Sequence, residues 1–514
     1  MSRSSKDRKG CSLTLALTVC SAAVGGTLQY GYNLAIINAP TAYVQRFINE
    51  TCVERWGTPL ESNQVILIWT FIVSAFSLGG LVGSLLAGPM AIRFGRKQTL
   101  LLNNCFLLIS AVMALSCRSV RSFEMIIPAR LLVGVNAGVS MNVQPMYFGE
   151  SAPKALRGAV AFSSAVFTAM GILLGQVTGL TEVLGSEDLW PYLLASNAVP
   201  CLLQLLTLPW FPESPRYLLI DRGDWEACSH ALTRLRGCDV SDAEMEEILE
   251  EQKAAGKARA RSLRELLTDR RLRRQLCIVM AASSAMMLCG NDSIYFYASY
   301  IFQEAGIPVD KIQYATIGTG ACEFTASIVS NLLIERLGRR LLLIGGYVLM
   351  AGWAVVFTVA LSLQGKVAGM PYLSMVCVFA YILSFGMGPA GVTGILPTEL
   401  FDQMARPAAY MMAGSMMWIN LFLMGMTFPF IVSGLGQFCF IPFCGVCVLS
   451  AIFIGFALPE TKGKTLAEIT EEFDMRNIKG SPSATQNHLP LQQTQRINDL
   501  TSEHLEAEKI SPKG

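Results

Sequence analysis

Two carboxylates, Asp292 and Glu323, have the most unusual surroundings of any side chains in this 514-residue sequence. Each falls near the middle of a long apolar run, with no Lys or Arg at the same depth to pair with it. An unpaired carboxylate in hydrocarbon is costly, so each must face water, face a substrate, or carry a proton. A second set of charges stands at the ends of apolar runs. Glu150 is followed seven residues later by Arg157, and Glu399 by Arg406 at the same interval. Arg96, Glu335, Arg339 and Arg340 belong with them. Opposite charges so placed can latch two bodies together and release them. Only a network could do so, because one exposed pair contributes ~0–1 kcal/mol.

Other patterns carry no catalytic chemistry. Gly386-Met387-Gly388-Pro389-Ala390-Gly391 fits G-x-G-x-x-G, yet it lies inside an apolar run with no strand before it. A helix softened by Gly and Pro is expected there, in place of a dinucleotide site. Cys444 and Cys447 form C-x-x-C within another apolar run, where metal or redox chemistry is not expected. The histidines, His230, His488 and His504, all fall in polar segments, which leaves no intramembrane histidine relay. No nucleophile–base pair and no metal set is visible, so neither an enzyme nor a cofactor is expected. The net charge of +2 gives no reason to invoke nucleic acid. Most of the 15 cysteines lie in apolar runs, and Cys52 has no partner in its own loop, so no disulfide framework is expected.

The elements that must position these residues are membrane spans. Hydrophobic residues make up 52% of the chain and charged ones 15%, against roughly 25% charged in soluble domains, so the surface must meet lipid. Twelve apolar runs approach the ~20 residues that cross hydrocarbon. They cover 12–36, 65–92, 98–116, 123–147, 158–181, 190–210, 275–302, 312–334, 341–364, 370–397, 407–433 and 437–457. No β-barrel alternation is present, so the fold class is all-α, with backbone groups satisfied inside each helix. The first run is too long for a signal-peptide core and is read as a retained helix. With residues 1–11 cytoplasmic, the short inner connections carry thirteen Lys and Arg against six in the outer ones. That bias places both termini inside.

The chain also repeats itself. Gly95-Arg96-Lys97 returns as Gly338-Arg339-Arg340, 243 positions later; Glu150 and Arg157 return as Glu399 and Arg406, at 249; Pro212-Glu213 returns as Pro459-Glu460, at 247. Near-constant spacing implies two halves of six helices each. The expected organisation is a cytoplasmic N-terminus over 1–11, a first half over 12–211 and a linker of short amphipathic helices over 212–274. A second half over 275–458 and a cytoplasmic, largely disordered tail over 459–514 complete it.

The runs Phe94-Gly95-Arg96-Lys97, Pro145-Met146-Tyr147-Phe148-Gly149-Glu150, Arg157-Gly158, Pro212-Glu213-Ser214-Pro215-Arg216, Gly338-Arg339-Arg340 and Pro459-Glu460-Thr461-Lys462-Gly463 resemble the signatures of the sugar-porter family of the major facilitator superfamily. The resemblance runs from about residue 15 to 470. Gln29-Tyr30-Gly31-Tyr32-Asn33, Cys289-Gly290-Asn291-Asp292-Ser293 and Phe401-Asp402-Gln403-Met404-Ala405-Arg406-Pro407 are similar to its fructose-related branch. The resemblance implies the major facilitator fold, with two parallel six-helix repeats and a mid-membrane site between them. It implies facilitative transport of hexoses such as fructose and glucose by alternating access, in the plasma membrane.

The chain departs from the family pattern at the sites that pattern uses for hydroxyl binding. Ala165, Met286, Met287 and Leu421 stand where the family commonly has amides, and Gly394 where it has a tryptophan; Asp292 and Glu323 also replace amides. Tyr30, Asn33, Asn291, Asp292, Glu323, Trp418 and Asn420 remain as the expected substrate set. Proton-coupled relatives typically have Asp where this chain has Asn33, which cannot titrate. That favours a uniporter over a proton-coupled symporter, with an organic-anion carrier and a non-transporting sugar sensor as further alternatives. Asn49-Glu50-Thr51 is the expected glycosylation acceptor, in the outer loop after the first run.

Overall fold

A computed structural model describes residues 12–153, 156–237, 242–255, 262–401, 405–464 and 468–473. Among the described residues the regular structure is helical, with no strand. Eleven helical segments are long and apolar enough to cross a membrane: Leu13–Asn38, Ser62–Phe94, Arg96–Ser119, Phe123–Ser151, Ala159–Thr178, Trp190–Trp210, Leu272–Phe296, Val309–Ile334, Arg339–Ser362, Met370–Leu400 and Arg406–Phe438. The twelfth, Ile441–Ala457, is shorter than its apolar run, because residues Gly436–Phe438 are spent on a 3-10 turn before it. Its 17 residues rise about 26 Å, just under the ~30 Å of hydrocarbon.

Close backbone approach fixes the packing within the first half. On the second and fourth spans, a Cβ added at Gly79 would lie 1.9 Å from the Leu131 carbonyl oxygen. One added at Gly134 would lie 2.0 Å from that of Phe76. The first and fifth spans meet the same way, through Gly31 against Thr168 and Gly171 against Leu28. Without a hydrophobic force between helices in lipid, such small-residue contacts supply the packing.

The first, sixth, seventh and tenth spans are broken, the sixth between Ala195 and Ala198. At the first and seventh a neighbouring side chain receives the freed backbone groups. The first stops at Val24 and resumes at Thr27. There the Thr27 amide donates to Gln144 Oε1 at 2.8 Å and Gln144 Nε2 returns a bond to Thr27 Oγ1 at 2.9 Å. The seventh breaks after Leu288, where Gly290 takes a positive φ of 81°, and the Tyr381 hydroxyl donates to the Cys289 carbonyl at 2.6 Å. The tenth breaks between Met387 and Pro389, inside the G-x-G-x-x-G run. Irregular backbone at membrane depth is tolerated only where protein or a cavity receives it.

Between the sixth and seventh spans lie helices Trp225–Arg236, Asp242–Ala255 and Leu263–Thr268. Leu219, Cys228, Leu232, Met245 and Ile248 pack into a small core there. The chain divides into two units at Gly463, and the short unit beyond it holds an ion pair of its own, Lys464 to Glu472 at 2.7 Å. Most of the tail expected to be disordered lies outside the described residues. Cys52 is a buried free thiol, and burial raises its proton affinity, so it is held away from the reactive thiolate.

Candidate functional site

A cavity of about 450 Å³ lies between the two halves. Its wall takes Tyr30, Asn142, Ser164 and Thr168 from the first half and Asp292, Glu323, Thr393 and Trp418 from the second. It extends to the end of the bundle where Arg96, Glu150, Arg339 and Glu399 stand, the basic end.

Asp292 and Glu323 are both buried on this wall, 6% and 5% exposed. The Tyr30 hydroxyl donates to Asp292 Oδ2 at 3.0 Å, so the bond joins the first span of one half to the seventh of the other. The Tyr295 hydroxyl donates to Glu323 Oε2 at 3.1 Å. Trp418 is fully buried at the wall, edge-on to Tyr30 and Phe76 with ring centroids 5.6 Å from each. It fits only because Gly80 faces it: a Cβ there would lie 2.2 Å from the indole.

Three of the expected substrate residues lie off this wall. Asn33 donates to the Gln29 carbonyl at 2.9 Å and accepts from Asn197 at 3.2 Å, inside the first half. Asn420 donates to Ser284 Oγ at 3.0 Å and to the Met416 carbonyl at 2.8 Å. At about 100° per residue it points some 200° away from Trp418. Asn291 is fully buried outside the wall. Of the positions that depart from the family pattern, Ala165, Met286 and Gly394 line the cavity, whereas Met287 and Leu421 are buried behind it.

At the basic end the repeated motifs build the same device twice. Gly95 (φ 91°) and Gly338 (φ 86°) turn the chain between two spans in a conformation that favours glycine. The helix that follows is capped by a glutamate brought from far along the chain. Glu213 accepts from the Arg96 amide at 3.1 Å and the Lys97 amide at 2.8 Å. Glu460 accepts from the Arg339 amide at 2.9 Å and the Arg340 amide at 3.1 Å. Carboxylates at helix N-termini satisfy free amides and complement the dipole. Arg96 then pairs with Glu150 at 2.8 Å and Arg339 with Glu399 at 2.7 Å. Ser214 and Thr461 donate their hydroxyls to those same glutamates.

These two ion pairs therefore lie within one half each, where a latch between halves would cross the interface. Arg406 donates to the Phe401 carbonyl at 3.0 Å, and Arg340 to that of Gly455 at 2.5 Å. The side chains of Arg157 and Glu335 lie outside what the structure describes. Glu213, Glu460, Ser214 and Thr461 went unassigned in the sequence reading; their repetition was its available signal.

At the opposite end the halves are joined directly. Gln176 donates to Thr319 Oγ1 at 2.9 Å, Gln45 to the Tyr300 hydroxyl at 2.9 Å, and Tyr314 to Glu182 at 2.6 Å. The cavity thus reaches the basic end and is bridged at the other. One buried cation was also missed. Arg130, on the fourth span, donates to the Asn33 carbonyl at 2.9 Å and lies 4.9 Å from the Phe76 ring centroid. It serves the first half internally and pairs with neither Asp292 nor Glu323.

Residues 18–473 match the family model described as "Sugar (and other) transporter". The Homo sapiens "Solute carrier family 2, facilitated glucose transporter member 11" is 59% identical over 464 residues, covering 90% of this chain and 94% of that protein. Member 5 from Homo sapiens is 45% identical over 466 residues, covering 91% and 93%. Member 7 from Mus musculus is 44% identical over 465 residues, covering 90% and 91%. Among solved structures, the proton:xylose symporter XylE bound to 6-bromo-6-deoxy-D-glucose aligns with a TM-score of 0.76 at 23% identity, covering 89% of this chain and 98% of that one. That likeness identifies the fold as the major facilitator fold. By the family match and the relatives together, this chain belongs to the sugar transporter family.

Proposed function

We propose that this protein carries hexoses such as fructose and glucose across a membrane by facilitated diffusion, with alternating access to the cavity between its halves. The observation that carries this reading is the cavity itself: largely apolar with a few polar side chains from both halves, reaching one end of the bundle and bridged at the other. It supports a basic-end-open state of a carrier, and the Lys and Arg bias supports placing that end and both termini in the cytoplasm. The plasma membrane is the compartment we propose. Tyr30, Asp292, Glu323 and Trp418 form the substrate wall in this reading, and the Arg96–Glu150 and Arg339–Glu399 pairs belong to the gate.

The relatives are transporters, which supports a non-enzymatic role. A proton-coupled symporter is the second reading, favoured by the carboxylates of Asp292 and Glu323, since Asn33 carries no titratable group. Uptake of radiolabelled fructose and glucose into proteoliposomes tests the proposal. Saturable uptake that unlabelled hexose competes away is expected; uptake no greater than in protein-free vesicles would overturn it.

A further inference from the structure

Two largely buried arginines of this chain are gripped by carboxylates in the same way. Arg96 sets its Nε and Nη2 on a single oxygen, Glu150 Oε1, at 3.1 and 2.8 Å. Arg236 does so with Glu244 Oε1, at 3.1 and 2.6 Å. These two nitrogens form one edge of the planar guanidinium, a fork whose donors converge on an anion. Arg130 is 3% exposed, and its contacts leave that edge out. Its Nη1 donates to the Asn33 carbonyl at 2.9 Å, and its face lies 4.9 Å from the Phe76 ring centroid. Its Nε and Nη2 have no hydrogen-bond partner among the described residues. The titratable group that bears on its charge is Tyr297, a phenol that is neutral at pH 7 and donates to the Gly425 carbonyl at 2.7 Å. A guanidinium keeps its proton, and a buried charge without a counter-charge is costly. The Phe76 ring offsets only part of that cost, because it meets the flat of the group while the fork lies in the plane.

Arg130 also lines a second, small cavity of about 10 Å³, together with Asn33, Ser110, Ile126, Val133 and Leu194. That is close to the space one water-sized particle needs. Ser110 gives its hydroxyl to the Ala129 carbonyl at 2.8 Å and Asn33 gives its amide to the Gln29 carbonyl at 2.9 Å. The arginine fork is therefore the donor set at hand, and apolar side chains make up most of the remaining wall. A cavity of this size admits a monatomic anion and excludes sulfate, phosphate and carboxylates. One fork in apolar surroundings also suits a single, weakly hydrated charge better than a multiple one.

We propose that Arg130 holds a chloride ion on its Nε–Nη2 edge, in the small cavity beside Asn33. The ion is the counter-charge that the side chains around this arginine do not supply. The cavity's walls all belong to the first half, so the ion is a fixed part of that half and does not travel with the sugar. Phe76, on which the guanidinium lies, also meets Tyr30 and Trp418, so the site backs the substrate wall without opening onto it.

The test is thermal unfolding of the purified full chain, with chloride replaced stepwise by gluconate at a constant ionic strength of ~0.1 M. Chloride is expected to raise Tm by about 1–2 °C for each tenfold increase above its dissociation constant. Bromide should act in its place, and sulfate should not. Arg130→Gln removes the fork and should abolish the response. Should that variant fail to fold, Asn33→Asp carries the test, because it builds a carboxylate onto the same cavity. Its Tm should then be indifferent to chloride. Equal Tm values in chloride and gluconate for the wild type, the result that a water at the site would give, overturn the inference. A chloride response that survives in Arg130→Gln or in Asn33→Asp overturns it as well.

Discussion

Trp418 is the residue on which the substrate wall turns. Its indole occupies the space left open by Gly80 and meets Tyr30 and Phe76 by their edges, so it sets the position of the Tyr30 hydroxyl that reaches Asp292. Trp418→Ala is expected to abolish hexose uptake while the protein still reaches the membrane, measured by uptake alongside surface labelling; ordinary uptake kinetics would remove Trp418 from the site. The mid-span placement of the two acids was legible in the sequence, because a charge in the middle of an apolar run has few explanations, whereas Tyr30 was singled out only through the family resemblance. Asn33 and Asn420 were harder. Both are polar and close in sequence to a wall residue, but a helix turns about 100° per residue, and neighbours in sequence face different ways. Arg130 was overlooked for a related reason. A single arginine near one end of a span is readily assigned to the membrane boundary, and only packing shows that it is buried.

The breaks and close approaches of the spans decide where those residues stand. Adding side-chain bulk at Gly134 would drive the fourth span from the second. Gly134→Val is expected to lower the melting temperature or the yield of folded protein, since overpacking costs ~1–3 kcal/mol or more. An unchanged melting temperature would contradict the packing account. The helix caps invite a gentler test. Glu460 accepts from four backbone amides through two oxygens, including those of Thr461 at 3.0 Å and Lys462 at 3.1 Å. A glutamine keeps the shape with one acceptor oxygen and no charge. Glu460→Gln should therefore cost ~1–2 kcal/mol, read as a lower melting temperature of the purified protein, with Glu213→Gln behaving alike. The twelve apolar runs and the Gly/Pro break in the tenth span could be read from the sequence, as could the two-fold repeat. The capping role of Glu213 and Glu460 could not, since each acts on an amide more than a hundred positions away.

For the whole molecule, sidedness and energetics can each be measured. Asn49 sits on helix Thr41–Trp56, between the first and second spans at the end away from the basic motifs. Glycosidase treatment is expected to shift the wild-type band and leave Asn49→Gln unmoved; a shift that persists in the variant would place the carbohydrate elsewhere. The central claim is that the cavity equilibrates sugar without a driving ion. By the family resemblance proton-coupled carriers have an acid where this chain has Asn33, and the Asn33 amide is committed to Gln29 and Asn197. The most direct measurement is the plateau of labelled fructose inside proteoliposomes, with and without an imposed pH gradient. A uniporter brings the inner concentration to the outer one in both cases. Accumulation above the outer concentration that collapses when a protonophore is added would contradict the account.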